Sequence, residues 1–171
     1  GLGARAEQSV TRVGSDGSLV LDDGTVVVLA GVLLPLGSGL REVSTEWPPG
    51  QESIAWLNAH VTGRSVTPFA PNGERDRHGR IVAQLTVHGV DRPTYWLQEA
   101  LVADGHARAA STPQTAACHP PLIAAEIAAR DGRLGLWRHA AYGVRSADRP
   151  WLLPRYRHTF QIVTGRVKRV E

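Results

Sequence analysis

Cysteine is almost missing: Cys118 is the only one in 171 residues, so no disulfide can staple the chain to itself. Lysine is just as scarce, with Lys168 alone against eighteen arginines. Arginine in place of lysine favours planar two-point contacts to phosphate or carboxylate, although a GC-rich genome produces the same bias. No apolar run reaches the roughly 18 residues that a membrane-spanning helix needs, so membrane insertion is not expected. The seven histidines show no His-x-x-x-His pairing and the lone cysteine no Cys-x-x-Cys, so zinc is not indicated. Internal repeats and low-complexity tracts are absent too, which excludes a solenoid or an array.

What remains is an ordinary globular composition, 42% apolar and 20% charged. The length suits one domain, burying about 70% of its unfolded surface. A net charge of +3 and a pI near 9.6 hint only mildly at an anionic partner. The chain opens on Gly1, and Ala4-Arg5-Ala6 has the small-x-small pattern at which a signal peptide is cut. Together these predict removal of a leader and export, to a periplasm or the outside.

The stretch from Gly24 to Leu36, GTVVVLAGVLLPL, anchors the pattern. Its apolar run, Val26 to Ala30, reads as a buried strand that leaves the core at Gly31 and stops at Pro35. Ahead of it, Gln8 to Val13 and Ser18 to Asp22 are β-prone runs separated by turn residues, so three strands form a meander. Residues 37–50 read as a long surface loop. Apolar spacing predicts a helix from Ser53 to Val61, then a hairpin from Ser65 to Phe69 and Arg80 to Val87. A second helix is expected from Tyr95 to Asp104, and a third from Pro120 to about Ala129, with proline in its favoured first turn. Leu136-Trp137 should plug the base of the core. Beyond it lies an Arg- and Pro-rich extension, residues 139–171, that turns β-prone after His158.

In combination, LVLDDGTVVVLAGV at 19–32, SIAWLNAHVTGRSV at 53–66, DRHGRIVAQLTV at 76–87, WLQEALVADGHAR at 96–108 and LIAAEIAARDGRLGLW at 122–137 resemble the staphylococcal-nuclease, or thermonuclease, family. The resemblance covers about residues 8–138. It implies an α+β, mainly β fold: a five-stranded antiparallel OB-fold barrel with three helices, here followed by the C-terminal extension. It also implies a calcium-dependent phosphodiesterase acting on DNA and RNA. In such an enzyme a carboxylate activates water, two arginines stabilise the charge growing on phosphate, and aspartates hold calcium through hard oxygens.

Residue by residue, this chain departs from that pattern. The resemblance places one calcium aspartate at Gly17 and the other at Leu33. The first catalytic arginine falls on Val28 and the catalytic glutamate on Leu36. Only the second arginine is kept, as Arg80, within Asp76-Arg77-His78-Gly79-Arg80. Base, metal ligands and one arginine are lost together, so hydrolysis is expected to be absent or vestigial and the calcium site lost, leaving no cofactor.

Other candidates compete with simpler readings. Arg75, Arg77 and Arg80 form a basic turn suited to phosphate, but Glu74 and Asp76 offset half the charge. Trp47 and Trp151 lie beside prolines, where exposed rings can stack on bases of a single strand or else cover the barrel mouth. Glu42 and Glu46 offer a relocated base but read more simply as solvated loop charges. Cys118-His119 looks like a nucleophile and base, yet side chains of adjacent residues rarely point at each other. The expected function is a binding module. It would take a protein partner through Val28, Leu33, Leu36 and the tail, or single-stranded nucleic acid. An active phosphodiesterase rearranged around Arg80, Asp16 and the 37–50 loop, and a purely structural domain, are the alternatives.

Overall fold

The computed structural model describes residues 2–36, 47–70, 75–89, 93–110, 113–156 and 161–168, the side chains of 113–114 and 155–156 excepted. Eleven strands are short or of moderate length among these residues: β1 (Gly3–Ala4), β2 (Gln8–Val13), β3 (Leu19–Leu21), β4 (Val26–Leu29), β5 (Val32–Leu33), β6 (Ser65–Ala70), β7 (Ile81–Val87), β8 (Tyr95–Trp96), β9 (Arg108–Ala109), β10 (Arg145–Ser146) and β11 (Val163–Thr164). Three α-helices lie among them: α1 (Pro48–Val61), α2 (Leu97–Ala103) and α3 (His119–Asp131). Strands β2, β3, β4, β7 and β6 pair in that order, and β6 returns to β2, closing a five-stranded barrel. Four pairings are antiparallel, while β4 runs parallel to β7 and sets Val28 opposite Val82.

Burial follows the strand period except at Gln84 of β7 and in β2. There Val10 and Val13, three residues apart, both enter the core. A register shift between Val10 and Arg12 in the ladder to β3 supplies the odd residue, as a β-bulge does. The core combines these valines with Leu19, Leu21, Leu57, Leu85, Leu97, Leu101 and Leu122, each at most 1% exposed except Val13. Burying one such leucine contributes about 1.5–3 kcal/mol.

Two helix starts differ from the sequence expectation. Helix α1 begins at Pro48, five residues before Ser53, because Pro48 and Pro49 occupy its first turn, where a missing N–H costs nothing. Tyr95 and Trp96 belong to β8, not to the second helix, because Val87 and Thr86 offer them a ladder. The edge of β7 is then completed by a side chain. Gln98, fully buried, accepts from Leu85 N–H at 3.0 Å and donates to the Ala83 carbonyl at 2.8 Å.

The Gly135-Leu136-Trp137 segment forms a 3-10 turn against the end of α2. Leu136 N–H donates to the Gly105 carbonyl at 2.8 Å. A Cβ on Gly105 would stand 2.4 Å from the Leu134 carbonyl oxygen, and one on Gly135 would stand 2.2 Å from that of Gly105. Only glycines permit this backbone-to-backbone approach. Leu136 and Trp137 are buried, as expected of a core plug, and form a small cluster with Ala129. Tyr142 and Ile162 of the extension pack on it. Among its described residues the extension holds two 3-10 segments, Ala140–Tyr142 and Pro150–Tyr156, and one short strand pair. Of the β-prone run from His158, Val163–Thr164 pair in parallel with Arg145–Ser146, while residues 157–160 and 169–171 lie outside the described residues.

Candidate functional site

The turn between β2 and β3 and the turn before β7 meet at one end of the barrel. Asp16 closes the first: its Oδ1 accepts from Ser18 N–H at 3.0 Å and from the Ser18 hydroxyl at 2.6 Å. Asp76 closes the second, accepting from His78 N–H at 2.8 Å and Arg80 N–H at 2.9 Å. Arg80 joins the two turns. Its Nε donates to Asp76 Oδ2 at 2.8 Å, and its Nη1 donates to Asp16 Oδ2 at 3.1 Å. The Ser18 hydroxyl is the main cause that lowers the Asp16 pKa, against partial burial and with help from Ser18 N–H and Arg80. Burial pushes Asp76 up, but the Arg80 backbone and guanidinium and the His78 N–H outweigh it, holding its carboxyl at about 2.

Gly17 lies inside the first turn, buried, at φ +77°. A Cβ placed there would meet Leu34 Cδ1 at 2.0 Å, with Ile54 Cδ1 3.9 Å away. Leu34 therefore occupies the space into which a side chain at position 17 would point. Leu33 is 46% exposed and Leu36 is half-buried. Val28 is half-buried beside its β7 partner Val82, which is 41% exposed.

The chain from β4 to the turn after α3 carries three of the five barrel strands, the three helices and the Asp76–Arg80 turn. Residues 26–139 match the family model described as staphylococcal nuclease homologue. The chain belongs to the staphylococcal nuclease family. A search of curated proteins finds no match to it.

The other sequence-predicted residues of this staphylococcal-nuclease-family chain are scattered in role. Arg75 donates to the Gly79 carbonyl at 2.7 Å, and Arg77 Nε donates to His78 Nε2 at 3.0 Å, so both brace their own turn. Asp22 and Asp23 are turn residues: Asp22 accepts from Ser9 N–H, and Asp23 from the backbone and hydroxyl of Thr25. Trp47 is half-buried with its ring 6.2 Å from that of Tyr142, whereas Trp151 is 67% exposed. Cys118 is a half-buried free thiol at the start of α3. Glu42, Glu46 and Glu74 fall outside the described residues. Among the described residues, no three His, Cys, Asp or Glu side chains gather as a metal site, and no helix is long and apolar enough to cross a membrane.

Sequence reasoning gave no role to Arg108. It is 4% exposed in β9, opposite Leu33 of β5, with its guanidinium 5.6 Å from the Trp137 ring and 5.8 Å from that of Tyr142. Burial lowers its pKa, and buried Glu126 opposes that shift. A lone arginine after a glycine turn carries no sequence signal of burial, because its aromatic walls come from residues about thirty positions later.

Proposed function

We propose that this staphylococcal-nuclease domain binds a protein partner and does not hydrolyse nucleic acid. One observation carries the reading: the guanidinium at the one retained catalytic position, Arg80, is engaged by two carboxylates, Asp16 and Asp76. A phosphate approaching it would have to compete with both for its charge. The residues present also do not fit calcium, which takes six to eight oxygen ligands. Gly17 has no side chain and no room for one, Leu33 and Leu36 carry no side-chain oxygen, and Asp16 is taken by Ser18 and Arg80.

The protein-partner reading follows from the same surface. Leu33, at one of the family's site positions, and Val82, paired with Val28 at another, are exposed and supply no charge. Arg75 and Arg77 spend donors on their own turn. Exposed aliphatic side chains beside self-satisfied arginines suit an apolar contact better than a polyanion. Trp151 and Val167, 67% and 75% exposed, add exposed apolar side chains in the tail.

Digestion of DNA and RNA in calcium-containing buffer tests the loss of hydrolysis, with no cleavage above background expected. Robust cleavage that Arg80→Ala abolishes would overturn it. Titration with single-stranded DNA at low salt tests the choice of partner, with no binding expected. Binding that weakens steeply as salt rises would assign the domain to nucleic acid instead.

A further inference from the structure

A cavity of about 300 Å³ lies at the end of β7 remote from Arg80. The seven residues of β7 separate His88 from Arg80, about 25 Å at the usual rise per residue. The cavity opens between the last turn of α1 and the junction of β7 with β8. Ala59, Val87 and the Tyr95 ring give it apolar walls, and His60, Arg64 and His88 bring the polar groups. None of these residues belongs to the site described above.

Both imidazoles are fixed in place. His60 stacks on Trp56 with ring centroids 3.9 Å apart and planes 11° from parallel. Its Nδ1 lies 2.8 Å from the Trp56 carbonyl oxygen. A carbonyl only accepts, so Nδ1 carries a proton, and the neutral ring offers Nε2 as an acceptor. His88 is held through Nε2, 2.8 Å from the Thr67 hydroxyl and 3.9 Å from Glu7 Oε2. Glu7 is itself engaged by the Ser65 hydroxyl. The His60 carbonyl, at the end of α1, accepts from the Tyr95 hydroxyl at 3.3 Å. Arg64 is exposed, and among the described residues no carboxylate pairs with its guanidinium.

We propose that this cavity binds a phosphate monoester. A monoester near neutral pH exchanges between one and two negative charges, so it presents both P–O⁻ and P–OH. Arg64 donates to the P–O⁻ oxygens, for which its planar fork is suited. In its neutral form His60 accepts at Nε2 from P–OH, a proton that a carboxylate, a sulfate ester or a phosphodiester does not carry at that pH. The organic part of the ester lies against Val87, Ala59 and Tyr95. This site goes beyond the proposed partner surface and does not depend on it.

The test is a titration of the full chain with phenyl phosphate, inorganic phosphate and methyl sulfate, followed through imidazole nitrogen NMR and Trp56 fluorescence. Phenyl phosphate is expected to shift His60 Nε2. Arg64→Ala, at an exposed position, should weaken binding about tenfold, with Arg64→Lys recovering part of it. Arg12→Ala, which removes an equal charge from an exposed position in β2, should bind as the wild type does. Tighter binding of phenyl phosphate than of inorganic phosphate supports an ester site; equal binding of the two would overturn the ester assignment. Methyl sulfate binding equally well, an unweakened Arg64→Ala, or no His60 shift at about 10 mM phenyl phosphate would overturn the proposal.

Discussion

Arg80 reaches Asp16 across 64 residues of chain, Nη1 to Oδ2 at 3.1 Å, while its Nε holds Asp76 at 2.8 Å. A side chain that the family resemblance assigns to phosphate is used here to tie two turns of the barrel together. All three groups are partly exposed, so the tie is screened by solvent and its strength is modest. Its geometric effect is larger. It fixes the spacing between the β2–β3 turn and the strand that closes the barrel.

Acid should loosen this end of the barrel first. The Asp76 carboxyl is lowered from an ordinary 3.8 to about 2 in the folded chain, and that of Asp16 is also lowered. A depressed carboxyl contributes stability that is complete above the unfolded value and is lost as pH falls through the folded one. The urea midpoint should therefore drop as pH falls from about 4 towards 2, and Asp76→Asn should flatten that drop. An equally steep fall in Asp76→Asn would place the acid sensitivity elsewhere.

Returning an aspartate to position 17 should destabilise the fold without creating a metal site. Gly17 sits at φ +77°, and a new Cβ would strike Leu34 Cδ1. The left-handed backbone costs a non-glycine residue about 1–2 kcal/mol, and displacing Leu34 adds to that. Gly17→Asp with Leu34→Ala should lose the clash but keep the backbone cost. Chemical denaturation of the single and double variants, with and without calcium, checks this. Calcium-dependent stabilisation of either variant would contradict it.

Gln98→Leu should cost about 1–3 kcal/mol, since it strands the Leu85 N–H in the core, while the Ala83 carbonyl keeps the Ala30 N–H at 2.9 Å. Gln98→Glu keeps the acceptor for Leu85 but sets a carboxylate oxygen against the Ala83 carbonyl. It should be at least as harmful at neutral pH and recover in part when acidified. Thermal unfolding of both variants at two pH values reads out the difference.

Much of this architecture was legible in the chain. The five barrel strands follow from apolar runs punctuated by glycine and aspartate, because a strand needs only its own alternation to declare itself. The bulge in β2 was hidden, since Val10 and Val13 look out of phase until the partner strand is seen. Pro48 and Pro49 concealed the start of α1, because proline marks a loop and a helix's first turn alike. At the site, the residue types at positions 17, 28, 33, 36 and 80 could be read directly. What held Arg80 could not, because Asp16 comes near only once the barrel closes. The burial of Arg108 was invisible for the same reason: Trp137 and Tyr142 reach it through the fold, not through the sequence.

The contact between Gly105 and Gly135 has a bearing on recombination. A Cβ on Gly105 would strike the Leu134 carbonyl and one on Gly135 the Gly105 carbonyl, so the loop after α2 and the turn before Trp137 fit only as a matched pair. Chimeras that take one of these segments from a relative must take the other from the same parent. A crossover point between residues 106 and 134 splits the pair, whereas crossovers outside that interval inherit it whole.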